Sequence, residues 1–546
     1  MKDPVDVHKV FAEYFKGYET LAYALSAKLA DGNICLDIEA YKKELPNILN
    51  AEKAKEFFHE TDSKFWVSPE DFELQFEGEY VANNSSVIKP FVILNGQAYL
   101  QRYFTYETQI IDNIRRLGNC FHIITGGPGS GKTYSVSTKL VELFRKNINL
   151  KVALAAPTGK AAARMNESIK NFAESPENGI PEKIKTNLTG LKAQTIHRLL
   201  GYMADSVFFR HDEKNRLPFD VVIIDECSMV DGAMMAKLLN AMNDNTELYL
   251  LGDKDQLASV EAGSVFGDLC RAGDTVLLKK KVDIKVESFR FKPNEGIGKF
   301  SKEVIDGTFS DVKSYSNDNQ ITIELLASED PKTNLFKERV IKSGSFKKYA
   351  LEYQEYIYED NIGSALKSLN KVRFLCVTRD NDYSVAATNK AIERLLKETI
   401  ADKEKFDPKE GFYHNQPVII TQNDYKLNIF NGDVGIIRRD GDVLVAYFET
   451  SDGEIRKIPA GYLNHFETVF AMTIHKSQGS EFDHVVVILP EKQGEKLLTR
   501  ELLYTGVTRA KTNVLLMTSE QVLRKCVERS VSRASGLEER LKNIQG

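Results

Sequence analysis

The chain has 546 residues, and its 73 basic and 78 acidic side chains leave a formal charge of −5. With 42% hydrophobic residues, 34 Gly and 15 Pro, it is neither a wholly disordered nor a collagen-like chain. No apolar run approaches the roughly 18 residues that favour a membrane span, and the first residues lack the apolar core of a signal peptide. We therefore expect a cytoplasmic protein with no membrane association.

The first 98 residues differ from the rest of the chain. Residues 7–29 carry apolar side chains at mixed spacings of three and four, which is typical of helices. No glycine-rich loop occurs in this part of the sequence. We interpret residues 1–98 as a mostly helical accessory domain with its own core. The alternative is that this segment merely extends the domain that follows it.

From residue 121 onward, short apolar runs alternate with amphipathic helical stretches. The runs occupy residues 121–125, 152–156, 221–224, 248–251, 374–377, 485–489 and 513–517. Because they lack a polar–apolar alternation, they suit strands that are buried on both faces of a parallel sheet. The pattern predicts an α/β fold, in which functional groups lie in loops at the carboxyl ends of the strands.

One segment interrupts this pattern. Short strands are predicted at residues 416–421, 433–439, 443–449 and 454–458. The dipeptides between them are strong signals for hairpin turns, namely Asn431-Gly432, Asp440-Gly441 and Asp452-Gly453. We predict a small antiparallel barrel, at about residues 413–468, inserted into the second α/β unit.

A glycine-rich loop follows the first of the predicted strands and opens a predicted helix. It reads Gly126-Gly127-Pro128-Gly129-Ser130-Gly131-Lys132-Thr133, which fits the P-loop pattern in the context that the pattern requires. Its glycines let backbone N–H groups surround phosphate oxygens, and the N-terminus of the helix adds a partial positive charge. We expect Lys132 to contact the β- and γ-phosphates of ATP and Thr133 to ligate Mg²⁺.

Two carboxylates follow the predicted strand at residues 221–224. Asp225 is placed to hold Mg²⁺ and Glu226 to orient and deprotonate an attacking water, which together indicate hydrolysis rather than nucleotide binding alone. After the next strand, Gln256 is placed to touch both the γ-phosphate and the attacking water. A solvated turn is the alternative for Gln256 when it is considered by itself.

These residues belong to eight ordered blocks. The blocks are GGPGSGKT at 126–133, APTGKAAARM at 156–165, QTIHRLLG at 194–201, DECSM at 225–229, GDKDQL at 252–257, SFRF at 288–291, TIHKSQGSEF at 473–482 and YTGVTRAK at 504–511. Taken together, they resemble the RecD family of superfamily 1 helicases, the alpha subunits of exodeoxyribonuclease V. The resemblance runs from about residue 99 to residue 511.

The resemblance implies roles that spacing alone does not. Gln109 matches the glutamine that reads adenine, and Gln256 matches the γ-phosphate sensor. Arg290 and Arg509 match the two arginine fingers of the family. A guanidinium from a second domain neutralises transition-state charge only when the cleft is closed, so hydrolysis would be tied to domain closure.

The resemblance also implies contacts with single-stranded DNA. The residues are Pro157, Thr158, Gly159, Lys160, Thr195, His197, Thr473, His475, Lys476, Ser477 and Gln478. Short polar groups and backbone amides of this kind suit contacts to the DNA backbone that do not read bases.

The fold that the resemblance implies has two RecA-like P-loop domains with parallel sheets, at residues 99–292 and 293–546. A hairpin insert near residues 202–219 would form a pin at the duplex junction. The barrel at about residues 413–468 would be the SH3-like module of the family, which closes over the translocating strand.

The implied function is an ATP-dependent 5′-to-3′ single-strand DNA translocase and helicase that uses ATP and Mg²⁺. It would be a motor of a RecBCD-like complex at duplex DNA ends in recombinational repair. Residues 1–98 are too short for the helix-hairpin-helix repeats of standalone RecD-type helicases, so we expect them to dock onto RecB-like and RecC-like subunits of a heterotrimer. No nuclease carboxylate cluster is visible, so exonuclease activity would reside in another subunit. The alternatives are a standalone RecD-type helicase and an assembly subunit whose ATPase regulates its partners.

Overall fold

The computed structural model of the chain describes residues 6–54, 60–84, 86–203, 206–259, 261–286, 288–309, 311–316, 318–326, 335–380, 383–408, 411–424, 426–450, 454–491, 494–531 and 533–544. The turn predicted at Asp452 and Gly453 lies outside the described residues, as do residues 204 and 205 of the predicted hairpin insert. Within the described ranges, no helix has both the length and the apolar character that crossing a membrane demands.

The N-terminal domain combines helices with a small sheet. Its elements are α1 (Val7–Ala12), α2 (Glu19–Ala30), β1 (Cys35–Asp37), α3 (Ile38–Lys53), α4 (Pro69–Glu73), β2 (Val81–Ala82), β3 (Phe91–Leu94) and β4 (Gln97–Leu100). The strands lie in the order β1-β4-β3-β2. Leu21, Trp66 and Phe72 are buried in a core that the helices and this sheet share.

This sheet is a difference from the mostly helical domain that the sequence predicts. Strands β1 and β2 span only three and two residues, which is too short for a strand periodicity to show in the sequence. Strands β3 and β4 form an antiparallel hairpin around Asn95 and Gly96, whose φ angles are 53° and 74°. An Asn-Gly pair with two positive φ angles is the preferred tight hairpin turn, a signal that the helical interpretation overlooked.

The first α/β domain is built on a parallel sheet. Its elements are α5 (Gln101–Leu117), β5 (Phe121–Gly126), α6 (Lys132–Lys146), β6 (Val152–Ala156), α7 (Gly159–Glu174), α8 (Glu182–Gly190), β7 (Ala193–Thr195), α9 (Ile196–Leu200), β8 (Val221–Ile224), α10 (Gly232–Asn240), β9 (Glu247–Gly252), α11 (Val265–Arg271) and β10 (Val282–Lys285). The strand order is β10-β5-β9-β8-β6-β7, with every neighbouring pair parallel.

Both faces of this sheet are covered, which explains the uninterrupted apolar runs. Successive residues of a strand point to opposite faces, so Val222 and Ile224 of β8 enter one core while Val221 and Ile223 enter the other. Helices α5, α10 and α11 supply side chains to the first core, and α6, α7 and α8 supply the second. The parallel α/β arrangement that the sequence predicts is confirmed here.

The second α/β domain repeats this plan. Its elements are α12 (Gly296–Asp306), β11 (Ile321–Leu325), α13 (Leu335–Lys342), α14 (Gly344–Leu351), α15 (Gln354–Tyr358), α16 (Ile362–Leu369), β12 (Val372–Cys376), α17 (Val385–Thr399), β18 (Ala471–Thr473), β19 (Phe482–Ile488), α18 (Arg500–Val507), β20 (Ala510–Thr518) and α19 (Glu520–Glu528), with β13 to β17 between α17 and β18. The parallel strand order is β11-β20-β19-β12-β18.

The insert between α17 and β18 is an antiparallel sheet. It contains β13 (Gln416–Ile420), β14 (Val434–Asp440), β15 (Val443–Glu449), β16 (Ile455–Pro459) and β17 (Phe466–Thr468). The strands lie in the order β16-β15-β14-β13-β17 and enclose a small core that contains Val418, Ile437 and Phe448. These strands coincide closely with the four that the sequence predicts, and β17 is an addition.

The C-terminal segment, residues 533–542, leaves the second α/β domain and returns to the first. Its helix α20 (Leu537–Lys542) buries Leu537 and Leu541 completely in the core of the first α/β domain. The backbone oxygen of Ala534 accepts hydrogen bonds from the backbone N–H groups of Ile34 and Cys35, at 2.9 and 3.3 Å. This position of α20 differs from the prediction that all of residues 293–546 belong to the second domain, because long-range packing decides where the helix lies.

A buried ion pair holds the C-terminal segment. The Arg540 guanidinium lies 3.2 Å from the Glu107 carboxylate on α5, which also accepts hydrogen bonds from Ser535 and from the Gly536 backbone. Burial raises the pKa of Glu107 and the Arg540 charge opposes that rise, so the two groups depend on each other. A carboxylate left buried without its partner is strongly unfavourable.

We therefore expect Arg540→Ala to lower the free energy of unfolding by about 3–5 kcal/mol, since it leaves Glu107 buried and unpaired. The measurement is the midpoint of the first transition in urea, followed by circular dichroism. The matched control is Arg524→Ala, which breaks an exposed pair with Glu520 and is expected to change stability by about 0.5 kcal/mol or less. Equal shifts for the two variants would contradict this assignment.

Candidate functional site

The loops that the sequence analysis singles out meet at one edge of the first sheet. Strands β5, β9 and β8 are parallel neighbours, and they end at Gly126, Gly252 and Ile224. Because parallel strands share the direction of their carboxyl ends, the glycine-rich loop, residues 253–257 and the Asp225-Glu226 pair emerge side by side. The position of the site thus follows from strand order.

These loops border a cavity of about 690 Å³ between the two α/β domains. Predicted site residues that line it are Pro128, Gly129, Ser130, Gly131, Lys132, Thr133, Lys160, Asp225, Glu226, Gln256, Arg290 and Arg509. Gly126 and Gly127, the first two residues of the loop, do not line the cavity, and their backbone oxygens accept hydrogen bonds from the Lys132 ammonium at 2.5 and 3.1 Å. The structure therefore brings the predicted phosphate and hydrolysis residues to a single place.

The glycines of the loop are required by close backbone approaches. Gly129 has a φ of 74°, and a Cβ added there would lie 2.5 Å from the Cβ of Arg290. The Phe289 N–H donates to the Gly129 backbone oxygen at 2.8 Å, and the Ser288 hydroxyl donates to that of Pro128 at 2.9 Å. The segment that carries Arg290 is thereby fixed directly against the phosphate loop.

The two carboxylates after β8 sit in a strained turn. Glu226 has a φ of 54°, which is rare for a residue with a side chain and is a form of strain that clusters at functional sites. Burial raises the pKa of Asp225, the neighbouring charge of Glu226 raises it further, and the Lys132 ammonium opposes both effects. A cation placed beside this pair would relieve the repulsion between the two carboxylates.

The oxygen donors present suit Mg²⁺. The Thr133 hydroxyl and the Asp225 carboxylate line the same cavity, and Mg²⁺ is commonly held by one or two such groups together with substrate phosphates and water. Within the part of the chain that the structure describes, no group of three His, Cys, Asp or Glu side chains forms a metal site without a nucleotide.

The two candidate finger arginines differ in their contacts. Arg290 forms an ion pair with Glu481 at 2.8 Å, and Arg164 of α7 pairs with the other oxygen of the same carboxylate at 2.6 Å. Burial acts to raise the pKa of Glu481, but the charges of Arg164 and Arg290 outweigh it and lower the pKa to about 2. Arg509 is buried and donates to the backbone oxygens of Thr505 and Ser480 at 3.1 and 3.4 Å.

Gln109 is not brought to this cavity. It lies half-buried on α5, and the described residues that line the cavity do not include it. Helix α5 runs through this position from Gln101 to Leu117, and the Gln109 backbone oxygen also accepts a hydrogen bond from the Asn113 side chain. The adenine-reading role of Gln109 stays a prediction.

The predicted DNA-binding residues of the first α/β domain follow β6 and β7, at the same edge of the sheet. The Thr158 and Thr195 hydroxyl groups accept hydrogen bonds from the backbone N–H groups of Ala161 and Arg198, which caps α7 and α9. Pro157 and Gly159 are half-buried beside Thr158, and His197 is exposed with its ring at the edge of Phe209, 5.7 Å away. The capping bonds fix the position of these two loops.

The DNA-binding residues predicted in the second α/β domain divide into two groups. Thr473, His475 and Lys476 are partly exposed after β18, and Lys476 lies 3.8 Å from Glu467. Ser477 and Gln478 are buried instead, and the Gln478 amide donates to the Leu257 backbone oxygen of the first domain at 2.8 Å. Gln478 therefore joins the two domains in this conformation rather than facing outward.

The antiparallel insert contacts the first α/β domain near these loops. The Arg198 guanidinium lies 4.6 Å from the centre of the Phe430 ring, which precedes β14. Lys426 is exposed. Arg438 donates to the Asn415 side chain and to three backbone oxygens between Tyr356 and Asp360, so it anchors the insert to its own domain. With its guanidinium committed to these bonds, Arg438 does not fit a phosphate contact.

Sequence reasoning missed three residues that shape the site, namely Arg164, Glu481 and Tyr504. Each lies inside one of the eight blocks, so the sequence contains the signal in that limited sense. Their contacts connect the second domain with the first domain or with the segment before α12. Glu481 and Arg290 are 191 residues apart in the sequence, and Tyr504 and Asp253 are 251 residues apart. Only the tertiary structure shows such pairings.

Comparisons with known proteins agree with this geometry. Residues 110–262 match the family model described as an AAA domain, and residues 468–517 match the UvrD-like helicase C-terminal domain. The RecBCD enzyme subunit RecD of Mycolicibacterium smegmatis is 34% identical over 99% of this chain and 97% of its own length. The subunit of the same name from Haemophilus influenzae is 35% identical over 78% of this chain and 70% of its own.

The crystal structure of Pif1 helicase from Candida albicans is a more distant likeness, with 18% identity and a TM-score of 0.41 over 80% of this chain and 98% of that one. The fold and the site define a P-loop protein with two parallel-sheet domains that face each other across the cavity beside the glycine-rich loop. The chain belongs to the RecD family of helicases.

The predicted contact between Lys160 and DNA can be tested because the ammonium of Lys160 loses its charge within an accessible pH range. Its ammonium lies 5.6 Å from the centre of the Phe482 ring, and burial, together with the charges of Arg373 and Arg164, lowers its pKa to about 7. The positive charge of Lys160 is therefore present below pH 7 and is lost as the pH rises through that value. An arginine at this position stays charged throughout.

If Lys160 contacts a DNA phosphate, we expect the affinity for single-stranded DNA to fall severalfold between pH 6 and pH 8.5 at constant ionic strength. The Lys160→Arg variant is expected to show a much smaller fall. Fluorescence anisotropy with a labelled oligonucleotide measures both dissociation constants. Parallel pH profiles for the two proteins would show that Lys160 does not contact a DNA phosphate.

Proposed function

We propose that this chain is an ATP-driven 5′-to-3′ single-strand DNA translocase and helicase, the motor subunit of a RecBCD-like complex that processes duplex DNA ends in recombinational repair. Membership of the RecD family supports the helicase activity. The observation that carries the mechanism is the cavity between the domains, which gathers Lys132, Asp225, Glu226, Gln256 and Arg509. The cytoplasmic location expected from the sequence is part of the same proposal.

The chemistry proposed for the cavity is hydrolysis of ATP. Lys132 and the loop N–H groups would hold the β- and γ-phosphates, and Thr133 with Asp225 would hold Mg²⁺, which supplies positive charge to the phosphates when bound. Glu226 would accept a proton from the attacking water. Arg290 and Arg509 would neutralise the charge that develops on the phosphates. Arg509 comes from the second domain and depends on its approach, whereas Arg290 is fixed beside the phosphate loop and pairs with Glu481 of the second domain.

The path proposed for single-stranded DNA runs across the two α/β domains, over the loops after β6, β7 and β18. The polar groups there suit contacts to the sugar–phosphate backbone. We further propose that the antiparallel insert is the SH3-like module of the family and covers this path. The contact between Arg198 and Phe430 supports that placement because it brings the insert to the loop after β7.

For partner binding we propose the N-terminal domain. The relatives from Mycolicibacterium smegmatis and Haemophilus influenzae are named as subunits of the RecBCD enzyme, which supports a heterotrimer with RecB-like and RecC-like chains. On this domain, several large apolar side chains are exposed, with Tyr14 76%, Leu74 78% and Ile88 85% accessible. Covering exposed apolar side chains with a partner protein removes them from water, which favours association.

Unwinding assays on tailed duplexes test the activity and its polarity. In the presence of ATP and Mg²⁺ we expect the chain, alone or with its partner subunits, to unwind the 5′-tailed duplex and not the 3′-tailed one. Lys132→Gln is expected to abolish both unwinding and DNA-stimulated ATP hydrolysis while leaving the circular dichroism spectrum unchanged. Persistent hydrolysis by this variant would refute the phosphate assignment, and unwinding of the 3′-tailed duplex would refute the polarity.

Substitutions on the surface of the N-terminal domain test the docking proposal. We expect Leu74→Glu and Ile88→Glu together to lower co-purification with the RecC-like subunit at least tenfold while sparing DNA-stimulated ATPase activity. Val443→Glu, an exposed apolar position at 59% on the antiparallel insert, is the matched control. Unchanged recovery of the complex with the double variant would show that the partners bind elsewhere.

A deletion of the whole N-terminal domain is a poorer test, because the domain is joined to the rest of the chain through the C-terminal segment. The Ala534 N–H donates to the Asn33 side chain at 2.8 Å, and the Ala534 backbone oxygen accepts from Ile34 and Cys35. Removing residues that include Asn33 would break these contacts of the C-terminal segment as well as remove any docking surface.

A further inference from the structure

The side-chain amide of Gln256 has a fixed orientation. Its Nε2 donates to Asp253 Oδ2 at 3.0 Å, while the buried Oε1 has no hydrogen-bond partner within the described residues. The opposite orientation would place the amide oxygen against a carboxylate, so that two acceptors would face each other. Asp253 therefore decides which end of the Gln256 amide is free, and the free end is the acceptor.

Asp253 is in turn held by a residue of the other α/β domain. The hydroxyl of Tyr504, on α18, donates to the same Asp253 Oδ2 at 2.9 Å, and the Asp255 N–H donates to Oδ1 at 3.1 Å. Both Asp253 and Tyr504 are buried. Burial raises the pKa of Tyr504, so its hydroxyl keeps the proton that it donates.

This hydroxyl also lies directly behind the phosphate loop. A Cβ added at Gly127 would be 2.9 Å from the Tyr504 oxygen. A side chain at position 127 would therefore collide with the tyrosine, and glycine leaves room for it. Arg509 lies in the same segment of the chain, two residues after α18 ends. One element of the second α/β domain therefore reaches both the candidate arginine finger and the carboxylate that orients Gln256.

We propose that Tyr504 is a positioning residue for ATP hydrolysis, which sets the Gln256 amide through Asp253 when the second domain is docked. The inference deepens the proposed function and rests on the role predicted for Gln256 from the sequence, a contact with the attacking water. With Nε2 committed to Asp253, the free Oε1 accepts a hydrogen bond from the attacking water, while Glu226 takes the proton of that water. No proton leaves Tyr504.

Other contacts between the domains allow the positioning role of Tyr504 to be distinguished from a simple packing role. The Leu257 N–H donates to the Thr505 hydroxyl at 2.9 Å, and the Leu257 backbone oxygen accepts from the Gln478 amide at 2.8 Å. Residues 253–257 therefore stay attached to the second domain without the Tyr504 hydroxyl. Removing that hydroxyl alone changes the orientation of the amide and leaves the docking of the segment in place.

The test is DNA-stimulated ATP hydrolysis by the full chain carrying Tyr504→Phe, which deletes one oxygen from a buried ring. We expect kcat to fall about tenfold or more, while KM for ATP and the dissociation constant of a fluorescent ADP stay within twofold. The control is Tyr315→Phe, since Tyr315 is also buried and donates to a carboxylate, that of Glu303, at 2.7 Å. It is expected to leave kcat within twofold.

Asp253→Asn is the second variant, because it preserves shape but lets either end of the Gln256 amide face it. We expect a similar fall in kcat, and no further fall in the Tyr504→Phe/Asp253→Asn double variant, since both changes break one link. A kcat within twofold of the parent for Tyr504→Phe, a rise in KM with kcat unchanged, or additive losses in the double variant would each overturn the proposal.

Gln256→Ala in the same assay separates failure of this inference from failure of the proposed function. If Gln256→Ala lowers kcat and Tyr504→Phe does not, the link through Asp253 is wrong while the role of Gln256 stands. If Gln256→Ala leaves kcat unchanged, the role proposed for Gln256 is itself wrong, and the inference fails with it.

Discussion

The parallel direction of the strands in the first sheet is the constraint on which the candidate site depends. It places the ends of β5, β9 and β8 at one edge, so the phosphate loop, residues 253–257 and the two carboxylates emerge together. The second α/β domain faces that edge, and its contacts complete the cavity. Any chemistry at this edge is therefore sensitive to the distance between the domains.

Charge compensation within the cavity shows how such sensitivity arises. Glu481 lies between Arg164 and Arg290, and its one carboxylate compensates part of the charge of the two arginines only while the domains are close. Guanidinium groups in a partly buried site require an anionic partner, and phosphate oxygens are the other partner that suits them. A nucleotide entering the cavity would compete with Glu481 for these arginines, which links nucleotide binding to the contacts between the domains.

The C-terminal segment adds a second connection between the domains. It starts from the second α/β domain and ends on the first, where Arg540 pairs with the buried Glu107. Arg533 donates to the backbone oxygens of Glu261 and Gly263, close to the segment that carries Gln256. Relative movement of the domains must therefore occur with both ends of this segment attached, which favours a limited hinge over full separation.

Local patterns in the sequence were sufficient for much of the fold. The apolar runs predicted the parallel strands because both faces of each sheet are covered. The Asp440-Gly441 pair predicted the tight hairpin between β14 and β15 of the insert, where Gly441 has a φ of 64°. The phosphate loop and Asp225-Glu226 were found for a similar reason, since each lies within a few residues of a strand end. Short strands such as β1 and β2 escaped because two or three residues carry no periodicity.

The sequence by itself thus determined the α/β class, the phosphate loop, the carboxylate pair and the RecD family, all of which are written in contiguous residues. The tertiary structure alone decided that Gln478 joins the domains, that Arg438 anchors the insert, and that α20 packs on the first domain. It also decided that Tyr504 reaches Asp253 across 251 residues. Such contacts depend on how separate elements pack, and no local preference of the chain encodes their partners.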